Sequence, residues 1–188
     1  MDISTVWSLT LKPVPPSLNM LLCASLLVSL SGCGSLSNVR SFSTPYSLPA
    51  SDQTARLRVF SDGMVRAIPK SACVDFRLPG AGVLVAPREG YADRNNESLG
   101  MPATSSQPAG TVRSEFKIPA GEPVSFVYNR DGCYNRFSFV PQPGADYELD
   151  ASGYSNCTVS ARQLPHGSEP GKPIALADSK MCRRGDNY

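Results

Sequence analysis

Six cysteines and a single histidine carry most of the reactive side-chain chemistry of this 188-residue sequence. The cysteines are Cys23, Cys33, Cys73, Cys133, Cys157 and Cys182. No two of them have the C-x-x-C spacing that is typical of zinc sites and of thiol–disulfide active sites. A zinc site would have to combine isolated cysteines with His166, so we expect no metal and no other cofactor. The thiols therefore favour covalent attachment or disulfides.

Cys33 follows an uncharged apolar run, "MLLCASLLVSL", over residues 20–30. A membrane-spanning helix needs roughly 20 residues, so this run is too short to cross a bilayer. It has the length of the apolar part of a secretory signal, with Lys12 as the one basic residue ahead of it. Translation could begin at Met1 or Met20. We favour Met1 because a signal that begins at Met20 would contain no Lys or Arg.

The residues Leu30-Ser31-Gly32-Cys33 resemble a bacterial lipobox. In proteins with that motif the cysteine thiol receives a diacylglycerol, and the signal is cleaved just before it. A thiolate is the nucleophile that such a reaction needs, and several acyl chains together make a stable anchor. The resemblance implies a signal peptide over residues 1–32 and lipidation at Cys33. Gly34, where an aspartate would signal retention at the inner membrane, resembles an outer-membrane address.

Four cysteines would remain unmodified in the exported chain, and an oxidising compartment makes two disulfides the expectation. Cys133 precedes one strand-like run and Cys157 begins another. An up-and-down pair of strands would bring these two to the same end of a sheet. We therefore favour Cys133–Cys157, with Cys73–Cys182 tying the C-terminal tail to the early part of the domain. The other pairings stay open.

Candidate catalytic residues are few. His166 lies in a Leu-Pro-His-Gly-Ser loop, and no G-x-S-x-G motif supplies a nucleophile for a Ser-His-Asp site. Asp146 and Glu148 lie two residues apart on a predicted strand and so share a face, which we expect to be solvated. A glycosidase needs two carboxylates set across a cleft. We assign no catalytic residue and predict that the protein is not an enzyme.

Four tyrosines fall in the second half of the chain, at Tyr128, Tyr134, Tyr147 and Tyr154. They could form a binding face. Tyrosines that alternate along strands more often cover the edge of a core with their hydroxyls in water, and we favour that interpretation.

Short runs of alternating apolar and polar residues predict a mostly β domain over residues 54–164. "ARLRVFS" and "MVRAI" flank Asp62-Gly63, and "TVRSEFKI" and "EPVSFVYN" flank "PAG", so each pair is predicted to form a hairpin. "ACVDFRL" over 72–78 and "VLVA" over 83–86 predict two more strands. With five strands between residues 111 and 164 at near-regular spacing, the pattern is typical of an antiparallel β-sandwich or small barrel.

Three segments flank or interrupt this pattern. Residues 33–53 are Ser-rich and predict a flexible linker from the lipid to the domain. Residues 87–110 are polar and turn-rich, and we expect a surface loop that contributes little to the core. Residues 165–188 predict an extended tail pinned by Cys182, in which "IALA" over 174–177 could add an edge strand.

"FSFVPQPGADYELD" lies between Cys133 and Cys157. It resembles small Gram-negative lipoproteins of uncharacterised function, in which an F-x-P-x-x-G-x-x-Y hairpin sits between cysteines. "IPAG" before a strand resembles transthyretin-like and PEGA-like sandwich modules. The resemblance implies an Ig-like or transthyretin-like sandwich and carries no catalytic residue with it.

The function expected from the sequence is contact within a bacterial cell envelope. The net charge of +2 is too small to indicate a nucleic-acid partner. We expect a lipoprotein anchored in the outer membrane, with its domain on the periplasmic or the surface side, that acts as a structural or interaction module on an envelope protein. A ligand-binding module that uses the 87–110 loop is the alternative, and a carboxylate-dependent hydrolase is a more distant one.

Overall fold

The computed structural model describes residues 42–92, 94–103, 107–153, 156–165 and 171–183. Cys33, His166 and Tyr154 lie outside these ranges, as does the whole predicted signal peptide. The lipobox therefore stays a prediction from the sequence.

The described residues form two five-stranded sheets. In chain order the strands are β1 (Thr54–Ser61), β2 (Met64–Ile68), β3 (Gly82–Val85), β4 (Val112–Pro119), β5 (Val124–Arg130), β6 (Cys133–Phe139), β7 (Asp146–Ser152), β8 (Thr158–Leu164), β9 (Lys172–Pro173) and β10 (Ala177–Asp178). The first sheet has the order β4-β1-β7-β8-β9, and the second has the order β10-β6-β5-β2-β3.

One apolar core lies between the two sheets, so the predicted β-sandwich is confirmed. Leu57 and Val59 of β1 are fully buried on the inner face of the first sheet. From the second sheet, the Phe126 ring lies 5.5 Å from the ring of Phe139, and Phe139 in turn lies 5.2 Å from Tyr147 of the first sheet. The apolar residues that alternate along each strand therefore lie on the face that the opposite sheet covers.

The two predicted hairpins are wrong in their pairing, although their strands are present. After the Asp62-Gly63 turn the chain leaves the first sheet and enters the second, and the β4–β5 turn does the same. Gly63 is required at the first crossing, because an added Cβ would lie 2.7 Å from the carbonyl oxygen of Asn129. Alternation identifies the buried side of a strand and does not identify its neighbour.

The sheets also differ from the prediction in direction and membership. Strand β1 pairs with β7 in parallel, so the first sheet is mixed rather than purely antiparallel. Residues 72–78 form turns instead of a strand, with one bridge between Val74 and Met181. Val74 packs with Ile68 and Val127 in a second, smaller apolar cluster. Burial outside a sheet thus accounts for the alternation of this segment.

The described parts of both flanking segments are built into the sandwich. Tyr46, within the predicted linker, is buried, and its hydroxyl donates to the Lys117 carbonyl at 3.0 Å. In the tail, β9 pairs with β8 and β10 pairs with β6, so each sheet gains a short edge strand. The edge strand expected over 174–177 therefore begins only at Ala177.

Two disulfides join the described cysteines, Cys73–Cys182 and Cys133–Cys157, in the pairing that the sequence favoured. The reason for the second pairing differs from the expected one. Cys133 begins β6 in the second sheet, whereas Cys157 precedes β8 in the first sheet. This disulfide therefore ties one sheet to the other at one end of the sandwich.

Candidate functional site

Asp146 and Glu148 share the outer face of the first sheet, and both side chains are buried there. Asp146 is 1% exposed and Glu148 is 5% exposed. Arg56 lies beside Asp146 in the register of β1 and β7, and its Nε and Nη2 atoms donate to the two carboxylate oxygens at 2.6 Å each. The expectation that this face is solvated is therefore wrong.

Glu148 belongs to a row of alternating charges that crosses four strands, which we call the charge ladder. Its members are Glu115 on β4, Arg58 on β1, Glu148 on β7 and Arg162 on β8, each opposite the next in register. Arg58 donates from Nη2 to Glu115 at 2.8 Å and from Nη1 to Glu148 at 3.3 Å. Arg162 donates from Nε to Glu148 at 2.9 Å.

Part of the 87–110 loop seals the charge ladder from water. The amides of Leu99 and Met101 donate to Glu115 Oε2 at 2.6 and 3.2 Å. Arg58 donates from Nη2 to the carbonyls of Met101 and Pro102 at 3.1 and 2.6 Å. Met101 itself is 6% exposed. The expectation that this loop contributes little to the buried structure is therefore wrong for residues 99–102.

These contacts make Glu115 unsuited to donate a proton. Burial by itself would raise the pKa of this carboxyl. The hydrogen bonds from Arg58, Leu99 and Met101 outweigh burial and hold the pKa of Glu115 below its usual range. A general acid at neutral pH needs the opposite shift, so the charge ladder has the electrostatics of a structural cluster.

An open cleft of about 370 Å³ lies at the end of the second sheet where β2 begins and where β3 and β5 end. It is lined by Phe42, Asp62, Gly63, Met64, Ala86, Pro87, Arg88, Tyr91, Asn129, Arg130 and Asp131, and we call it the terminal cleft. Its size is within the range of small-molecule sites, roughly 300–1,000 Å³. Residues 87–91 of the 87–110 loop form one wall of the terminal cleft, whereas residues 99–102 of the same loop cover the charge ladder.

Asp62 lies in the turn between β1 and β2 and holds together the wall that this turn and the end of β5 form. Its carboxylate accepts hydrogen bonds from the Tyr128 hydroxyl at 2.6 Å and from the Gly153 amide at 3.0 Å, and it forms an ion pair with Arg130. Burial opposes ionisation, but these three partners together hold the pKa of Asp62 below its usual range. Burial and the bond to Asp62 raise the pKa of Tyr128. The wall is therefore a fixed, ionised network.

The tyrosines of the second half do not form a common face among the described residues. Tyr128 and Tyr147 are buried, and the Tyr147 hydroxyl accepts from the Gln142 amide at 2.9 Å. Tyr134 is 49% exposed. Tyr91, which the sequence analysis did not single out, is the tyrosine that lines the terminal cleft. Its only signal in the sequence is one aromatic residue inside a polar, turn-rich segment.

Within the described ranges, no group of three or more His, Cys, Asp or Glu side chains is placed to hold a metal ion. None of the helical structure in that same part of the chain is long and apolar enough to cross a membrane. Comparison with protein-family models, with curated proteins and with solved structures finds no match to the chain.

Proposed function

We propose that this chain is an outer-membrane lipoprotein of a bacterial cell envelope that acts by contact rather than by chemistry. The observation that carries the proposal is the Leu30-Ser31-Gly32-Cys33 motif directly after an apolar run of signal-peptide length. The Cys73–Cys182 and Cys133–Cys157 disulfides support it, because disulfides persist in oxidising compartments.

The state of the buried and partly buried carboxylates favours contact over hydrolysis. Glu115, Glu148, Asp146 and Asp62 each bond to an arginine. A carboxylate pair that hydrolyses a glycosidic bond needs one member with a raised pKa, and the pKa values of Glu115 and Asp62 are shifted downward. These acids therefore support a structural role.

The anchor is tested by replacing Cys33. We expect Cys33→Ser to incorporate no labelled palmitate and to stay at the size of the uncleaved precursor, because the thiol that receives the lipid is lost. Cys23→Ser is the matched control, since it removes a thiol of the same apolar run and leaves the lipobox intact. A Cys33→Ser protein that still incorporates palmitate and reaches mature size would contradict the proposal.

The oxidising compartment is tested by non-reducing peptide mass spectrometry of the protein purified from envelopes. We expect peptides that contain Cys73 joined to Cys182 and Cys133 joined to Cys157, with no free thiol on these four residues. Two free thiols would contradict export to an oxidising compartment. A different pairing would contradict the described connectivity and leave export standing.

Contact is tested by photo-crosslinking in intact cells. The loop residue Glu89 is exposed next to the terminal cleft, whereas Glu122 is exposed in the β4–β5 turn, outside the cleft lining. A photoreactive residue at Glu89 is expected to give a discrete protein adduct that the same residue at Glu122 does not give. Identical patterns at both positions would exclude the surface around Glu89 as the contact surface. Hydrolysis of an envelope polymer by the purified protein, lost on changing one carboxylate, would overturn the proposal.

A ligand-binding module is the second candidate function, and the terminal cleft is the observation that favours it. It combines a concave shape with two aromatic rings, apolar residues and a few polar groups, and small-molecule sites combine these features. A screen for compounds that raise the melting temperature tests this candidate, since a ligand that binds only the native state stabilises it.

A further inference from the structure

The terminal cleft has one aromatic wall, made from two distant chain segments. The rings of Phe42 and Tyr91 meet edge to face, with centroids 5.9 Å apart and planes at 70°. The Ala92 amide donates to the Phe42 carbonyl at 3.1 Å and so joins the two segments. The Arg66 guanidinium lies over the Phe42 ring, 4.8 Å from its centroid. Because these contacts hold Phe42, the wall is fixed before any ligand arrives.

The remaining lining mixes apolar residues, Met64, Ala86 and Pro87, with charged residues whose charges balance. Arg88 and Arg130 are cationic, and Asp62 and Asp131 are anionic. Arg130 is already paired with Asp62. Arg88 and Asp131 are exposed, and Asn129 is partly exposed beside them. The terminal cleft therefore offers both hydrogen-bond donors and acceptors to a ligand without a net charge.

This combination discriminates among ligand classes. An anionic ligand would meet Asp131, while one of the two cations is already occupied by Asp62. A lipid tail would bury charged groups without a partner, which is costly. A sugar ring has an apolar C–H face that stacks on an aromatic ring, and it has hydroxyls that both donate and accept. Its hydroxyls suit Arg88, Asn129 and Asp131.

The geometry points to a saccharide site: the terminal cleft binds a short neutral oligosaccharide, with Tyr91 stacking on a ring and Asp131 accepting from hydroxyls. This inference is independent of the lipid anchor, because it uses only residues of the described domain.

The test uses the purified full-length chain and three groups of probes. Neutral oligosaccharides of N-acetylglucosamine, glucose and mannose are screened by saturation-transfer NMR and then titrated by calorimetry. Phosphorylated sugars and phosphatidylethanolamine vesicles are the competing probes. We expect a neutral oligosaccharide to bind and Tyr91→Ala to weaken it at least tenfold. Tyr91→Phe keeps the ring and is expected to retain most of the affinity.

One further variant tests the polar wall of the terminal cleft, and a second variant is a control outside the cleft. Asp131→Asn keeps the size of the side chain but removes the charged acceptor, and it is expected to weaken binding several-fold. Tyr134→Ala removes a 49% exposed tyrosine outside the terminal cleft and is expected to leave affinity unchanged. Melting temperatures confirm that each variant is folded.

Three results would overturn the inference. The first is no binding of any neutral oligosaccharide at millimolar concentration to a folded wild-type protein. The second is binding that Tyr91→Ala and Asp131→Asn leave unchanged, which would place the sugar elsewhere. The third is Tyr91-dependent binding of the phosphorylated sugars or the vesicles alone, which would assign the terminal cleft to an anionic or headgroup ligand.

Discussion

The inner face of the first sheet and the centre of its outer face are both buried, yet they are buried by different means. The inner face carries Leu57, Val59 and Leu149 and packs on the aromatic rings of the second sheet. The outer face carries the charge ladder and is covered by a loop. An apolar face needs only a partner of the right volume. A buried charged face needs hydrogen-bond donors and acceptors at particular positions. Its stability therefore depends on fewer atoms than the stability of the apolar face does.

This difference predicts unequal tolerance of substitution. Removing one partner of a buried ion pair leaves a charge without compensation, which typically costs more than the pair contributes. Removing methylene groups from the inner face costs in proportion to the cavity that remains. Substitutions in the outer face should therefore have the larger effects, above all at Arg58, which makes most of its contacts.

Arg58→Met gives the largest expected effect on the outer face. It removes the guanidinium that Glu115 and Glu148 share, and it frees the carbonyls of residues 101 and 102. Each buried carboxylate then keeps only one, partly exposed arginine, Arg113 or Arg162. We expect a loss of about 3–5 kcal/mol in the free energy of unfolding, measured by urea denaturation. Arg77→Met is the control, because Arg77 is 59% exposed in its pair with Asp75. Equal losses for both variants would show that the charge ladder behaves as an ordinary surface.

The sequence predicted the strands far better than their partners. The boundaries of β4 to β8 follow from alternation between turn signals, because each strand has one face in the core. The alternation is the same whichever sheet a strand joins, so the chain crossings at Gly63 and after β4 were predicted as hairpins. Only tertiary packing distinguishes a crossing from a hairpin.

The charge ladder could not be predicted for a related reason. Arg58, Glu115 and Glu148 occupy the polar positions of alternating strands, which is the usual pattern of a solvated face. The groups that cover them are backbone amides and carbonyls of residues 99–102, and backbone groups have no sequence signature. Met101, an apolar residue in a polar segment, was the one local indication. The terminal cleft was equally hidden, since Phe42 and Tyr91 are distant in sequence.

Met101→Ala tests whether the covering loop is part of the fold. Met101 is 6% exposed above the charge ladder, and its truncation is expected to cost about 2 kcal/mol, the low end for a buried methionine because a loop can partly collapse. Leu99→Ala is the matched control, since Leu99 is 36% exposed and uses only its backbone amide on Glu115. If both variants lose the same small amount, the loop only rests on the sheet.

Glu115→Gln separates the two faces by pH. The pKa of Glu115 is lowered in the folded protein, so its contribution to stability is present above the unfolded pKa, about 4.3, and is lost as the pH falls towards the lower folded value. As the pH falls from 5 into the range where Glu115 becomes protonated, the free energy of unfolding should therefore decrease more for wild type than for Glu115→Gln. Phe126→Ala, an inner-face variant, should keep the full pH dependence of wild type. Parallel stability–pH curves for wild type and Glu115→Gln would contradict the assignment.

Arg162→Met is expected to have the smallest effect, and it tests whether the charge ladder acts as one unit. Arg162 is at the rim, with 41% of its side chain exposed, and Glu148 keeps its bond to Arg58 when Arg162 is lost. An exposed partner of this kind usually contributes about 0–1 kcal/mol, so urea denaturation should show a loss well below that of Arg58→Met. The double variant Arg58→Met/Arg162→Met should then lose more than the sum of the two single variants, because Glu148 would keep neither arginine. Additive losses would mean that Glu148 is stabilised by other groups, and the outer face would then resemble the inner face in depending on many small contacts.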